Sequence, residues 1–317
     1  MPVYKLEAVV LRTREYGETD RLVTLLDREG VRRTALAKGA RRPRSSLAAG
    51  VQPYTYSRFL LWRGRSLDGI SQVEVIDSLA GLRGDLAALA AAACVAELAE
   101  AFTQEGAPSP GVFPVVLGVL RALAAAPGDV VRHQLLLRHA EMRLLDLAGL
   151  GIQLERCQDC GRVLGPSAGR VPPAGYSAEL GGALCAGCRP ARPAALPLDP
   201  ATWQVLRRAR QPALAAVARL RPDRGVLARA AEITATHLGY HLGRTFRSPA
   251  FLAILDEASL SGGILAGPPG GGDGSRPGRT GPAPGMAASR APASPGRGGA
   301  GTPPAGGEIV QQGGWGA

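Results

Sequence analysis

Four of the five cysteines stand in two pairs, Cys157-Gln-Asp-Cys160 and Cys185-Ala-Gly-Cys188, with residues 161–184 between them. Each pair can set two thiolates on one tight turn, and two such turns can close a tetrahedron around one Zn²⁺. Closing it brings the two ends of a short segment together, so a tetracysteine zinc ribbon is expected over about residues 152–190. Gly161 and Gly187 give the two knuckles conformational freedom. Four thiolates leave zinc no open position, so the ion, one per chain, is expected to build structure and do no chemistry. Two disulfides or four unrelated thiols are the alternative. Met1 to Lys5 leads straight into an alternating segment with no signal peptide, which points to a reducing cytoplasm. Spacing and compartment together therefore favour zinc. Arg156, Arg162 and Arg189 flank the knuckles and would offset the negative charge that four thiolates and one dication leave. Cys94 lies in an alanine-rich helical stretch and reads as a small buried apolar residue.

The chain of 317 residues divides unevenly. Residues 262–317 are dominated by Gly, Pro, Ala and Ser, too poor in aliphatic pattern to offset ordering entropy, and read as a disordered tail. The net charge is +11, and Arg276, Arg279, Arg290 and Arg297 against Asp273 and Glu308 leave only +2 of it in that tail. The surplus sits on the folded body. Lys5 and Lys38 are the only lysines, so arginine abundance by itself discriminates little. A basic balance nevertheless points to an acidic partner such as nucleic acid. No run of eighteen apolar residues free of charge occurs, so no membrane span is expected.

Period-two patterning predicts strands over residues 3–14, 22–26, 31–37, 53–62 and 70–76, with polar or Gly-containing turns between them. Five short strands in under eighty residues fit a small closed barrel, which hides the edges of an open sheet. From Asp77 the period becomes helical. Helices are expected over 82–104, from Ser109-Pro110 to Pro127-Gly128, and over 129–147. Another starts at Asp199-Pro200 with Trp203 and Leu206, one runs from about 223 to 244, and a short one opens at Ser248-Pro249. The expected architecture is an α+β multidomain chain: a barrel over 1–79, then a helical domain over 80–261 that the zinc ribbon interrupts.

The stretch from Arg28 to Arg65 holds ten basic residues: Arg28, Arg32, Arg33, Lys38, Arg41, Arg42, Arg44, Arg58, Arg63 and Arg65. Glu29 is its only acid, and Tyr54, Tyr56, Phe59 and Trp62 are interleaved. A positive groove with aromatic platforms on a small barrel holds single strands without reading sequence, phosphates supplying affinity and bases stacking. Phe59 and Trp62 are assigned to the barrel interior, which needs large side chains. The loop from Lys38 to Arg44, with its crowded like charges, is assigned to nucleic acid. His237 and His241 stand four apart on a helix, but no glutamate follows His237, so the zinc-protease pattern fails and packing is the better reading. His133 and His139 carry no stronger signal. There is no Walker loop, no dinucleotide glycine fingerprint and no Gly-x-Ser-x-Gly, and the scattered carboxylates compose no catalytic constellation.

Four passages in order resemble the RecO family of bacterial DNA repair and recombination mediators. They are Ala8 to Arg12 with Tyr16 to Leu22, Ala37 to Ser45 with Gln52 to Tyr54, the cysteine module with Leu184, and Tyr240 to Ser248 with Phe251-Leu252. The resemblance covers residues 1 to about 260 and leaves the later tail outside the family pattern. It implies an N-terminal OB-fold, a helical body and an embedded zinc ribbon. It further implies a non-enzymatic, cytoplasmic, nucleoid-associated protein that binds single- and double-stranded DNA and anneals complementary strands. RecR is the implied partner, together with the acidic tail of the single-stranded DNA-binding protein, in loading RecA. Lys38, Arg41, Arg42 and Arg44 match the family's basic motif and inherit a DNA role; Arg32, Arg33, Arg58, Arg63 and Arg65 are added from the charge pattern. A basic rim for the acidic tail is placed at Arg121, Arg132 and Arg138. The competing reading is a zinc-ribbon regulator that docks on proteins and binds DNA incidentally.

Overall fold

In the computed structural model, which describes residues 2–243 and 246, β1 (Val3–Tyr16) is the longest strand. It pairs antiparallel with β2 (Asp20–Asp27) on one side and β4 (Tyr56–Trp62) on the other. β3 (Arg32–Ala37) pairs antiparallel with β2, and β5 (Asp68–Asp77) antiparallel with β4. Closure comes from a short parallel contact of β3 with β5, at Ala35↔Asp68 and Leu36↔Gly69. The order β1-β2-β3-β5-β4 is therefore the closed five-stranded barrel of an OB-fold.

Inward positions follow the strand period. Ala8 and Val10, Val23 and Leu25, Phe59 and Leu61, and Ile70 fill the interior, with Leu47 and Val51 contributed by the turn-rich segment between β3 and β4. Outward positions of β1 do not all meet water. Val9 and Leu11, with Leu26 and Tyr56, join the core of the helical body. Residues 8–11 of β1 are thus buried on both faces. The predicted fourth strand begins three residues later than its sequence pattern, because Tyr54 adopts a positive φ of 67° and the chain turns there before pairing.

The helical body comprises α1 (Leu86–Ala101), α2 (Val112–Ala124), α3 (Val130–Leu147), α4 (Pro200–Ala209), α5 (Leu214–Val217) and α6 (Arg224–Leu242). Aspartates start four of these. The side chains of Asp85, Asp129, Asp199 and Asp223 accept hydrogen bonds from first-turn N–H groups of α1, α3, α4 and α6. Each satisfies donors the helix cannot, at about 1 kcal/mol apiece. The α1–α2 connection also seals the barrel: Thr34 N–H and Oγ1 both donate to Glu105, and Gly106 N–H donates to Arg32 O. Between α3 and α4 lies a three-stranded sheet of β6 (Pro173–Ser177), β7 (Gly182–Cys185) and β8 (Leu196–Pro197), in the order β7-β6-β8. The expected helix at Ser248-Pro249 and the 262–317 tail lie outside the described residues. Among the described residues no helix is long and apolar enough to cross a membrane.

Candidate metal centre and nucleic-acid interface

The two CxxC turns meet as the spacing predicts. The Sγ atoms of Cys157, Cys160, Cys185 and Cys188 all lie within 4.8 Å of one another, and Cys160 and Cys185 are 3.8 Å apart. A tetrahedron of sulfurs at zinc distance has edges of about 3.8 Å, so the donor set and its size fit a metal ion. The first knuckle forms because Gly161, at φ 74°, turns the chain and its N–H donates to Cys157 O. Gly187 does not adopt a positive φ, so the second knuckle closes without the freedom expected of it. Burial works against a Cys157 thiolate, but N–H groups from Cys160, Cys185 and Asp159 outweigh it and lower its pKa. The Arg162 N–H, then its guanidinium, bring Cys160 down to about 6. Cys188 moves the other way, raised chiefly by Cys160 beside it. Four sulfurs this close ionise together only around a cation.

The ribbon is fastened to the helices by buried hydrogen bonds. Trp203 of α4, 2% exposed, donates from Nε1 to Leu154 O at 2.8 Å. His237 of α6 donates from Nε2 to Leu150 O, and its Nδ1 accepts from Tyr176 of β6, both at 2.6 Å. Both ring nitrogens are therefore in use, and burial pushes His237 down to about 4. His133 and His139 bond to the carbonyls of Ala126 and Ala209. Cys94 is buried, its thiol pushed up to about 12 by desolvation.

The ten basic residues between Arg28 and Arg65 separate into two groups. Arg28 and Arg58 share Glu7, and Arg58 also reaches Glu74. Arg32 pairs with Glu105 and donates to Glu100 O at 2.7 Å, Arg33 pairs with Asp27 at 2.9 Å, and Arg41 pairs with Glu15 at 3.1 Å. Lys38, Arg42, Arg44, Arg63 and Arg65 are all exposed and, among the described residues, have no carboxylate in ion-pair contact. The local sequence hid this division, because the acids come from elsewhere in the chain. Lys38, Arg42 and Arg44 line a cleft of about 470 Å³ with Ser45, Ile70 and Ser71, where β3 and β5 barely touch. Its start is pinned by Asp20, whose carboxylate accepts from Gly39 N–H at 2.7 Å. That bond, with Lys38 and Arg42 nearby, lowers the Asp20 pKa.

Three sequence assignments change. Phe59 is fully buried, but Trp62 is only partly so and lies outside the barrel, with Lys38 Nζ 5.6 Å from its ring centroid. Period two requires this, since Phe59 and Leu61 point inward and Trp62 stands an odd number of residues from Phe59. Tyr56 is no platform either, being 7% exposed and packed on Phe113. Arg138 cannot form part of a surface rim. It is 6% exposed and donates to the buried Glu141 at 2.7 Å, leaving the rim guess with Arg121, paired to Asp77, and Arg132, paired to Asp129.

An OB barrel leading into a helical body that carries a tetracysteine ribbon defines the class of protein. Family models agree: "Recombination protein O N terminal" matches residues 1–79 and "Recombination protein O C terminal" matches residues 83–250. Three curated relatives named "DNA repair protein RecO" align over nearly their whole length. The one from Desulforudis audaxviator is 40% identical over 259 residues, 82% of this chain and 100% of its own. The Pelotomaculum thermopropionicum relative is 39% identical over 264 residues, 83% and 98% of the two chains. That from Anaeromyxobacter sp. is 38% identical over 252 residues, 78% and 95%. The chain belongs to the RecO family.

Proposed function

We propose that this chain is a DNA repair protein that binds single- and double-stranded DNA and anneals complementary strands. With RecR it helps load RecA onto strands covered by the single-stranded DNA-binding protein, whose acidic tail it contacts. The observation that carries the reading is the set of five cations without ion pairs between Lys38 and Arg65 of the closed barrel, three of them lining an open cleft. Annealing requires two phosphate backbones to be neutralised while base edges stay free to pair, and cations on a barrel face meet that demand. Family membership supports the partners. No bond-making step is assigned to the chain, which acts as a mediator and not an enzyme, in the cytoplasm with the nucleoid.

The division of labour follows the chain. Residues 1–79 bind DNA, chiefly through Lys38, Arg42, Arg44, Arg63 and Arg65. Arg41 keeps a share because its Glu15 partner is itself exposed. Arg32, Arg33 and Arg58 hold the barrel together more than they hold DNA. The helical platform runs through residues 80–243 of the described chain, interrupted at 152–190 by the ribbon. Zn²⁺, one per chain, is held by Cys157, Cys160, Cys185 and Cys188 and supplies a structural crosslink. Mixing complementary oligonucleotides with the purified chain at low salt tests the reading. Faster duplex formation supports it, whereas zinc content of one per chain with no binding or annealing favours the protein-docking regulator.

A further inference from the structure

Trp62 is the aromatic side chain that barrel packing leaves unexplained. Its strand alternation places it outside, next to the outward Leu60 and Arg58. It lies across Gly69 of the neighbouring strand so closely that a Cβ there would fall 2.1 Å from its Cε2. Covering a cross-strand glycine accounts for a large ring at this position. It does not account for what surrounds that ring. Lys38, one of only two lysines in the chain, has its ammonium over the indole, and the same lysine lines the cleft with Arg42 and Arg44. Arg63 follows Trp62 directly, and Gly69 leads into Ile70 and Ser71 on the cleft wall.

From this juxtaposition we infer that Trp62 is a stacking site for one unpaired nucleobase, capped by Lys38 until a strand arrives. The inference rests on the DNA-binding reading above and deepens it. An exposed ammonium on an indole is held weakly, and a stacked base is held more strongly. The incoming base therefore displaces the lysine, which is freed to meet the phosphate beside that base. Lysine suits the exchange better than arginine, whose planar guanidinium would stack on the ring and compete for it. Of the other barrel aromatics, Phe59 is buried, Tyr4 bonds to Asp68 between Arg33 and Arg63, and Tyr56 sits between Phe113 and Arg121; Tyr16, at the end of β1, is exposed but has no cation over its ring. A single platform takes out one base and leaves its neighbours able to pair, which is what an annealing protein needs.

The full chain, carrying Trp315→Phe so that Trp62 and Trp203 are its only indoles, is titrated at low salt with an oligothymidine and with an abasic oligomer of equal length, reading tryptophan emission and anisotropy. The thymidine strand is expected to quench emission and the abasic strand to bind with little quenching. Adding Trp62→Phe should remove most of the quench, since Trp203 is buried, with less than about threefold loss of affinity because phenylalanine still stacks. Trp62→Leu should weaken the thymidine strand about tenfold and the abasic strand far less. Persistent quenching in Trp62→Phe, or equal weakening of both strands in Trp62→Leu, overturns the stack while DNA binding stands. Failure of the chain with Trp62 intact to bind either oligomer overturns both.

Discussion

Removing the charges of Arg42 and Arg44 together should flatten the salt dependence of single-strand binding without unfolding the barrel. With Lys38, Arg42, Arg44, Arg63 and Arg65 as the phosphate contacts, each releasing roughly 0.7 counterion from a single strand, the expected slope of log affinity against log salt is about −3.5. Between 50 and 200 mM salt that is a loss of about a hundredfold. Arg42→Gln with Arg44→Asn leaves three such contacts, a slope of about −2 and a loss of about twentyfold. Asparagine is chosen at position 44 because φ there is 65°, a conformation it tolerates. Arg33→Gln is the control: its guanidinium is bonded to Asp27, so the slope should hold near −3.5 while stability falls. Anisotropy of a labelled oligothymidine over a salt series measures all three. Equal slopes in the double variant and in Arg33→Gln would refute the division into paired and unpaired cations.

Cys157→Ser should lower zinc below one per chain and reduce the unfolding temperature, whereas Cys94→Ser should leave zinc content intact; full zinc in the Cys157 variant would sink the ligand assignment. Stability should also fall in mild acid. The unfolded His237 takes a proton near pH 6.5 and the folded one only at about 4, so its contribution is complete above pH 6.5 and lost as pH drops towards 4. His139, likewise lowered by burial, acts in the same direction. Urea melts from pH 7 to 5 should show a decline of about 2 kcal/mol for His237, shallower in His237→Gln. Glu141→Gln should cost about 3 kcal/mol by stranding the buried Arg138, while Arg138→Met with Glu141→Leu should recover most of it, an outcome read in the same melts.

What could be read from the sequence was local. The Asp-initiated helices at 129, 199 and 223 and the paired knuckles follow from contacts within a few residues, and each stands where its pattern put it. Two errors were avoidable by parity. Trp62 and Phe59 cannot share a strand face, and Arg138 falls three residues after Leu135 and four before Met142, on the stripe that faces the core. Other features were not legible at all. Glu7 serves Arg28 and Arg58 from 21 and 51 residues away, and Glu105 reaches back to Thr34 across 71. A window showing one acid among ten basic residues therefore overstated the free charge about twofold, because ion pairs form across a barrel and not along a chain.

That overstatement matters because arginine is nearly the sole cation here, and its guanidinium serves packing as readily as binding. Composition then loses its value as a pointer to nucleic acid, and the pairing state of each side chain takes over. Arg58 forms two carboxylate pairs and Arg33 bonds a carboxylate that is almost fully buried, so a phosphate would have to compete with partners already in place. Lys38, Arg42 and Arg44 face no such competitor in ion-pair contact and stand on a segment whose Leu47 and Val51 are anchored in the barrel core. The three cations are thus without carboxylate partners at their tips and fixed at their base, the arrangement that the proposed grip on a backbone of any sequence requires.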